Sequence, residues 1–483
     1  MRFGPSGRDV TIFGSALLAG ALLLGGCTGT APGATPPMGV EPGGRAGTPA
    51  ELDLAGLGDP YFPTYGNGGY DVAAYDLKVR FDPASGRLDG TATVRAKATS
   101  PLDRFHLDLI GLSVDRATVD GAPAGVAREG DELVLTPARH IDSGKDFTAV
   151  VTYGGRPADS PERDAEKNGF FLSRAGAVAV GEPQSAASWF PVNDHPRDKA
   201  RYTIEITAPK TMSALSNGVL KGRTEQGDQA TWRWAVTSPM ASYLATMVVG
   251  DYRVTQTEHR GKPVINAISA SVPAGEADRA LARTPEVCDF LEGLFGPYPF
   301  DAYGGIVVGD SRVDAELENQ TRPVYLPGTW ADGPNTSILA HELAHQWFGD
   351  SVSVDSWRDI WLNEGFATYA EWLWDEHEGG RTVQERYDRY YRDKRDRMWR
   401  VPTADPGRDG IFSSAVYERG AMTLHALRKL IGDEKFFTVM RTWTADKRDG
   451  NATTAEFVAL AERVAGRPLD AFLHPWLYGT TRP

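Results

Sequence analysis

The hydrophobic period of this chain changes along its length, from two residues before about Arg253 to helical spacing after about residue 260. Two different kinds of layer are therefore required. YDLKVRF, TATVRAKA, ELVLT, FTAVVTY, YTIEITA and ATWRWAV alternate apolar with polar residues, and turn residues such as Ser85-Gly86 and Asn217-Gly218 separate them. Such short alternating runs predict a β-sandwich or saddle-shaped sheet over residues 56–257. The remainder, 258–483, reads as mainly helical. Glu276 to Leu294 comes first, with Pro285 placed to kink or split it. Ile306 to Val308 and Glu316 to Pro323 look extended. Helices are then expected at about 337–349, 363–378, 381–398, 417–431, 434–446 and 454–465. The last carries a capping box, Thr453 with Glu456.

Ahead of the strands stands a different kind of sequence. Arg2 and Arg8 precede an apolar stretch that ends in Leu24-Gly25-Gly26-Cys27, too short to span a bilayer. Residues 1–26 read as a signal peptide. The cysteine directly after the small residues makes it look like a bacterial lipoprotein signal, with Cys27 as the lipidated residue. Residues 27–55, rich in Gly, Pro, Ala and Thr, read as a flexible tether. The expected location is extracytoplasmic, anchored to a bacterial membrane through the lipid on Cys27. The second cysteine, Cys288, lies in an apolar helix and reads as a core thiol. A net charge of -13, from 51 Lys and Arg against 64 Asp and Glu, argues against a nucleic-acid partner.

The strongest chemical signal is His341-Glu342-Leu343-Ala344-His345. Residues i and i+4 of a helix share a face, so both imidazoles can reach one metal ion. Asn335, Thr336 and Ser337 offer oxygens for the start of that helix. A second amphipathic helix is introduced by Asp359-Ile360-Trp361-Leu362-Asn363-Glu364-Gly365, and Glu364 supplies a third ligand. Two His and one Glu form a hydrolytic zinc set with a fourth position left for water, whose pKa zinc lowers to about 7. One Zn2+ per chain is expected. Glu342, between the histidines, is placed to take the water's proton. Asn363 and Asp359 are candidates to support the imidazoles from behind.

With these residues in view the chain resembles the aminopeptidase N family of gluzincin metallopeptidases. HELAHQWFGD followed by WLNEGFATYAEWLW is similar to that family's signature. NGGYDVAAYDLKVRFDPASGRLDGTATV, GEPQSAASWFPVNDHPRDKA and FGPYPFDAYGG extend the likeness over roughly residues 60–483. The resemblance implies a saddle-like antiparallel β-domain followed by a mainly helical, thermolysin-like catalytic domain. It also implies an aminopeptidase acting on peptides with a free N-terminus. Ala315-Glu316-Leu317-Glu318-Asn319 sits at the family's exopeptidase motif, which makes Ala315, Glu318 and Asn319 substrate-binding residues, with Glu318 on the substrate's α-ammonium. Glu182 falls where the family has a second carboxylate or amide near that amine. Tyr417 matches a tyrosine that supports the oxyanion.

Two departures from the family pattern stand out. Ala315, Glu316 and Leu317 replace the usual small and Met residues, and strict alternation would set Asp314, Glu316 and Glu318 on one face. The chain also stops soon after Phe472-Leu473-His474-Pro475-Trp476, without the helical domain that covers the cleft in longer members. An open cleft keeps a zinc endopeptidase as the alternative. An inactive lipoprotein that uses its β-domain as a binding module is the other, although it would be expected to have lost a ligand or Glu342, and all are present.

Overall fold

A computed structural model describes residues 54–157, 169–173, 175–392 and 397–483. The signal stretch, Cys27 and most of the tether lie outside these residues. Ala55 already pairs with Asn67, so the end of the segment read as tether belongs to the folded body.

In the strand Tyr70–Asp82 the core-facing residues are Tyr70 and Val72, then Tyr75, Leu77, Val79 and Phe81. The parity changes because pairing with Arg87–Ala98 shifts between Val72 and Ala74. An extra residue at such a bulge resets which side chains face inward. This pair lies within an eight-stranded sheet. Its order is Val219–Gln226, Gln229–Met240, Ala200–Pro209, Tyr70–Asp82, Arg87–Ala98, Asp146–Gly155, Ser113–Val119 and Ala122–Pro123. Tyr70–Asp82 and Ala200–Pro209 run parallel, an exception to the antiparallel expectation; the other pairs are antiparallel. Two smaller sheets complete the N-terminal part. One orders Ser213–Ser216, Met247–Gly250, Gly176–Ala179 and Phe170–Ser173, and the other Phe105–Asp108, Glu132–Thr136 and Gly125–Glu129.

A further sheet orders Tyr252–His259, Lys262–Ser269, Tyr303–Val307 and Val324–Tyr325. The division expected at 257/258 falls inside its first strand, which pairs with the second domain's strands. Most side chains of Tyr252–His259 are exposed, so this edge strand carries no apolar alternation to mark it.

The helices are α1 (Glu276–Leu281), α2 (Thr284–Phe295), α3 (Ser337–Ala344), α4 (Trp361–His377), α5 (Val383–Arg392), α6 (Arg397–Arg400), α7 (Glu418–Ile431), α8 (Asp433–Asp446), α9 (Thr454–Ala465) and α10 (Asp470–Leu477). Pro285 opens α2, where its missing N–H costs no intrahelical bond. At α9 the Thr453 hydroxyl accepts from Glu456 N at 3.3 Å, and the Glu456 carboxylate accepts from Thr453 N at 3.0 Å. α10 holds Pro475 inside it, which hid it from the sequence reading. Cys288 is buried and unpaired. Trp347, Trp357, Trp361, Trp372 and Trp374 are all buried and wall the helices that carry the site.

Regular α3 stops at Ala344, short of the expected 349. His345 still has helical backbone angles and donates its N–H to His341 O at 3.3 Å, so the one-turn spacing of the two imidazoles survives. The chain then turns tightly through Phe348, and Gly349 takes a φ of 126°. The helix ends there because a residue with a side chain adopts that angle only under strain.

Candidate active site

Three elements meet at one place. α3 presents His341 and Glu342, its C-terminal cap presents His345, and the first turn of α4 presents Glu364. All four side chains are buried. Each imidazole Nε2 lies 3.4 Å from Glu364 Oε2, and one ligand atom from each residue falls within 4.8 Å of the others. A tetrahedral zinc with bonds of about 2.0–2.2 Å separates its ligand atoms by about 3.4 Å. The donor set and its spacing fit that ion.

The orientation of His345 is set from behind. His345 Nδ1 donates to Phe348 O at 2.9 Å, so the tight turn after α3 fixes the tautomer that points Nε2 into the site. His341 Nδ1 faces Glu371 at 3.6 Å. Glu371, two turns along α4 from Glu364, was not singled out in the sequence; its helical spacing on the ligand-bearing face was the available signal. The two residues expected to give such support do not. Asp359 accepts from Thr454 N at 3.1 Å and from the Thr454 hydroxyl, so it fixes the start of α9. Asn363 is buried near Gly349, and its side chain makes no hydrogen bond.

Electrostatics mark the site as short of positive charge. Burial would raise the Glu364 carboxyl, but the two imidazoles outweigh it and hold the group down to about 2. Burial would lower His345, yet Glu364 and Glu318 carry it up to about 9. Glu342 is raised to about 8 by burial, against the pull of both histidines. Glu182 is raised well above the usual range by burial and then by Glu318, Glu364 and Glu342, and one of its oxygens is enclosed without a hydrogen-bond partner. Asp350 is pushed the same way by burial and Glu318. Carboxylates packed this closely call for cations among them.

Glu318 is buried next to this cluster, where Tyr243 of the β-domain donates to its Oε1 at 2.7 Å. Glu318, Glu342 and His345 also come within 4.8 Å. That second grouping is the poorer metal site, because Tyr243 occupies one Glu318 oxygen and His345 has one free nitrogen to give. The loop around Glu318 is held from several sides. Gln346 donates to Glu318 O at 2.9 Å and accepts from Thr321 N at 2.7 Å. Asn217 donates to Gln320 O at 3.0 Å, and the buried Arg322 donates to Ser216 O and Gly218 O while stacking on Trp234. The sequence reading missed Gln346 and Arg322, whose partners are remote in the chain.

Other expected residues have different surroundings. Asn319 donates to Leu244 O at 2.8 Å and so braces the loop. Ala315 is exposed. Asp314 is exposed and Glu316 half-buried while both Leu317 and Glu318 are buried, so the expected shared face of Asp314, Glu316 and Glu318 does not form. The segment is a loop pinned by one bridge, Leu317 to Val324, rather than a strand. Tyr417, which caps α7, stacks on His341 with ring centroids 6.0 Å apart. Burial and the carboxylates around it push its phenol well up, so it is a hydrogen-bond donor at any working pH.

Comparison with known proteins agrees with this geometry. Residues 72–244 match the peptidase M1 N-terminal domain, and residues 280–476 match the peptidase family M1 domain. Aminopeptidase M1-D of Oryza sativa subsp. japonica is 27% identical, aligned over 83% of this chain and 49% of its own. Aminopeptidase N of Acetobacter pasteurianus is 27% identical over 61% of this chain and 88% of its own. The chain spans about half the length of several curated relatives it matches. Among solved structures, a mutant M1 zinc metallopeptidase of Deinococcus radiodurans bound to a Tyr-Ser-Ala substrate superposes with a TM-score of 0.79. It is 29% identical, and the match covers 89% of this chain and 98% of that one. Two adjoining domain matches in the family's own order, over a three-ligand zinc site, leave one conclusion: this chain is a member of peptidase family M1.

Proposed function

We propose that the chain is a zinc-dependent aminopeptidase that removes the N-terminal residue from peptides. The observation that carries this reading is Glu318, a buried carboxylate held by Tyr243 within reach of Glu342 and His345. A fixed carboxylate in that position is matched by a free α-ammonium and not by an acylated one. The Tyr-Ser-Ala peptide bound to the Deinococcus radiodurans relative is consistent with a short peptide substrate.

His341, His345 and Glu364 would hold the zinc, which supplies Lewis acidity to the scissile carbonyl and to the attacking water. Glu342, buried between the two histidines, takes the water's proton and returns it to the departing amine. The Tyr417 hydroxyl donates to the developing oxyanion. Glu318 and Glu182 receive the ammonium, so the first peptide bond, and no later one, meets Glu342.

Free and N-acetylated forms of the same short peptides, with and without a zinc chelator, test the reading. Stepwise cleavage of the free forms alone, lost with chelator, is the expected result. Internal cleavage of the acetylated forms would make the chain an endopeptidase and remove the role given to Glu318. For location, we propose lipidation at Cys27, to be read as an acylated N-terminal peptide by mass spectrometry of the membrane fraction; an unmodified Cys27 there would refute it.

A further inference from the structure

Tyr243, whose hydroxyl holds Glu318 Oε1 at 2.7 Å, is itself held by residues far from the cleft. Its ring packs edge-to-face on Trp357, with centroids 5.3 Å apart at 66°. Both rings are buried. Among the described residues the Trp357 indole N–H has no hydrogen-bond partner. Ring packing and the Trp357 backbone are therefore what place this indole, and with it the Tyr243 hydroxyl.

The segment ahead of the first strand supplies both supports. Phe62 packs edge-to-face on Trp357, with centroids 6.3 Å apart at 80°, and stacks on Tyr65 at 4.7 Å. Asp59 holds the backbone. Its Oδ2 accepts from Trp357 N and from the Ser356 hydroxyl, each at 2.9 Å. Its Oδ1 accepts from Tyr61 N at 2.8 Å and from Phe62 N at 3.1 Å. One buried carboxylate thus ties residues 59–62 to the turn that carries Trp357, through charge-assisted bonds that water does not weaken.

We propose that Asp59 and Phe62 are positioning residues for the ammonium contact, acting through Trp357 and Tyr243 on Glu318. Close-packed rings in series have no empty space between them, so a shift of one is passed to the next. Loosening Trp357 lets the Tyr243 ring follow, and its hydroxyl leaves the line to Glu318 Oε1. The helix α4, which begins soon after Trp357, has anchors of its own. Trp361 Nε1 donates to the Thr454 hydroxyl at 2.8 Å, and Asp359 accepts from Thr454 N at 3.1 Å. Glu364 therefore keeps its place when the Asp59–Phe62 support is lost. The role given to Asp59 and Phe62 rests on the aminopeptidase reading above, because that reading puts the ammonium on Glu318.

The test is calorimetry in the zinc-loaded Glu342→Gln background, where no turnover intervenes. The ligands are Leu-Ala-Ala and its desamino analogue, 4-methylpentanoyl-Ala-Ala, so the ratio of their Kd values reads the ammonium contact alone. That ratio should favour the free peptide by about tenfold or more, and Tyr243→Phe should remove most of the preference. Phe62→Ala, and Asp59→Asn, which keeps the size and one acceptor oxygen, should each lower it by about threefold to tenfold at unchanged zinc content. Phe62→Ala added to Tyr243→Phe should lower it no further, since residues acting in series are not additive. Equal weakening of both ligands in Phe62→Ala and Asp59→Asn, or an unchanged ratio in both, overturns the proposal, as does full addition in the double variant. A ratio near one without these substitutions removes the aminopeptidase reading, and the proposal with it.

Discussion

Gly365 and Gly420 face each other across the α4–α7 contact with no room for a side chain. A Cβ at Gly365 would stand 2.9 Å from Gly420 Cα, and one at Gly420 would stand 2.8 Å from Gly365 Cα. Gly365 follows Glu364, and Gly420 comes soon after Tyr417, so this contact sets the spacing between the proposed metal ligand and the proposed oxyanion donor. Alanine at either position must push the helices apart against a packed core, at a cost of about 1–3 kcal/mol. Thermal unfolding should show the loss. Turnover should fall further than the unfolded fraction explains, because Tyr417 moves away from Glu364.

Glu342→Gln keeps the size and removes the base. Turnover of a free tripeptide should drop by about 10²–10⁴-fold, while zinc content, measured by mass spectrometry, stays at one per chain. A variant that retained parental turnover would show that the proton is moved by another group.

Glu371→Gln tests support of His341 from behind. Its carboxylate, 3.6 Å from Nδ1, orients the ring and raises its basicity, so its loss should weaken zinc binding by about 10–100-fold in chelator competition. Glu418, another half-buried acid of that region, is raised to about 7 chiefly by desolvation, and leaves Glu371 as the better partner for a cationic or metal-bound ring.

Metal-free protein should lose stability as pH rises from about 4.5 to 9. His345 is raised from 6.5 to about 9 in the fold, so its contribution is complete below 6.5 and gone above 9. Glu342 is raised from 4.5 to about 8, and its ionisation over that window also opposes folding. Below 4.5 the sign reverses: Glu364, lowered to about 2, contributes less as it is protonated. Melting temperatures of chelator-treated protein should therefore peak near pH 4.5. Zinc should flatten the alkaline side and release protons as it binds, since it takes a neutral imidazole. A flat profile in the metal-free protein would contradict the strong coupling of these groups.

Gln346→Ala isolates the Glu318 loop. It strips partners from Glu318 O and Thr321 N, each costing about 1–3 kcal/mol when buried. KM for free peptides should rise more than kcat falls, because the carboxylate that receives the ammonium loses its fixed position while the zinc ligands remain. An equal loss in both parameters would point to general damage.

Local signals in the chain were enough to mark the helices and the metal. One-turn spacing brought His341 and His345 together, and the second helix brought Glu364. Strand alternation gave most of the eight-stranded sheet, since its central strands bury one face, whereas the edge strand Val219–Gln226 buries none. Signals failed where the partner is remote or the pattern is weak. Asp359 looked like support for an imidazole but is taken by Thr454, a contact no spacing reveals. The exposed strand Tyr252–His259 had no apolar period, and the regular alternation assumed around Glu316 gave way to a loop pinned at a single bridge. The brace formed by Gln346, Asn217 and Arg322 joins three separated stretches and has no local signature.

That brace divides the work of the cleft. Tyr243, Asn217 and the carbonyls held by Arg322 belong to the β-domain, whereas the zinc ligands and Glu342 come from α3 and α4. The residues proposed to receive the peptide's ammonium are thus braced from one layer, and those proposed to hold zinc and move the proton from another. A substitution in the β-domain that loosens the Glu318 loop can therefore shift the carboxylate without moving α3 or α4.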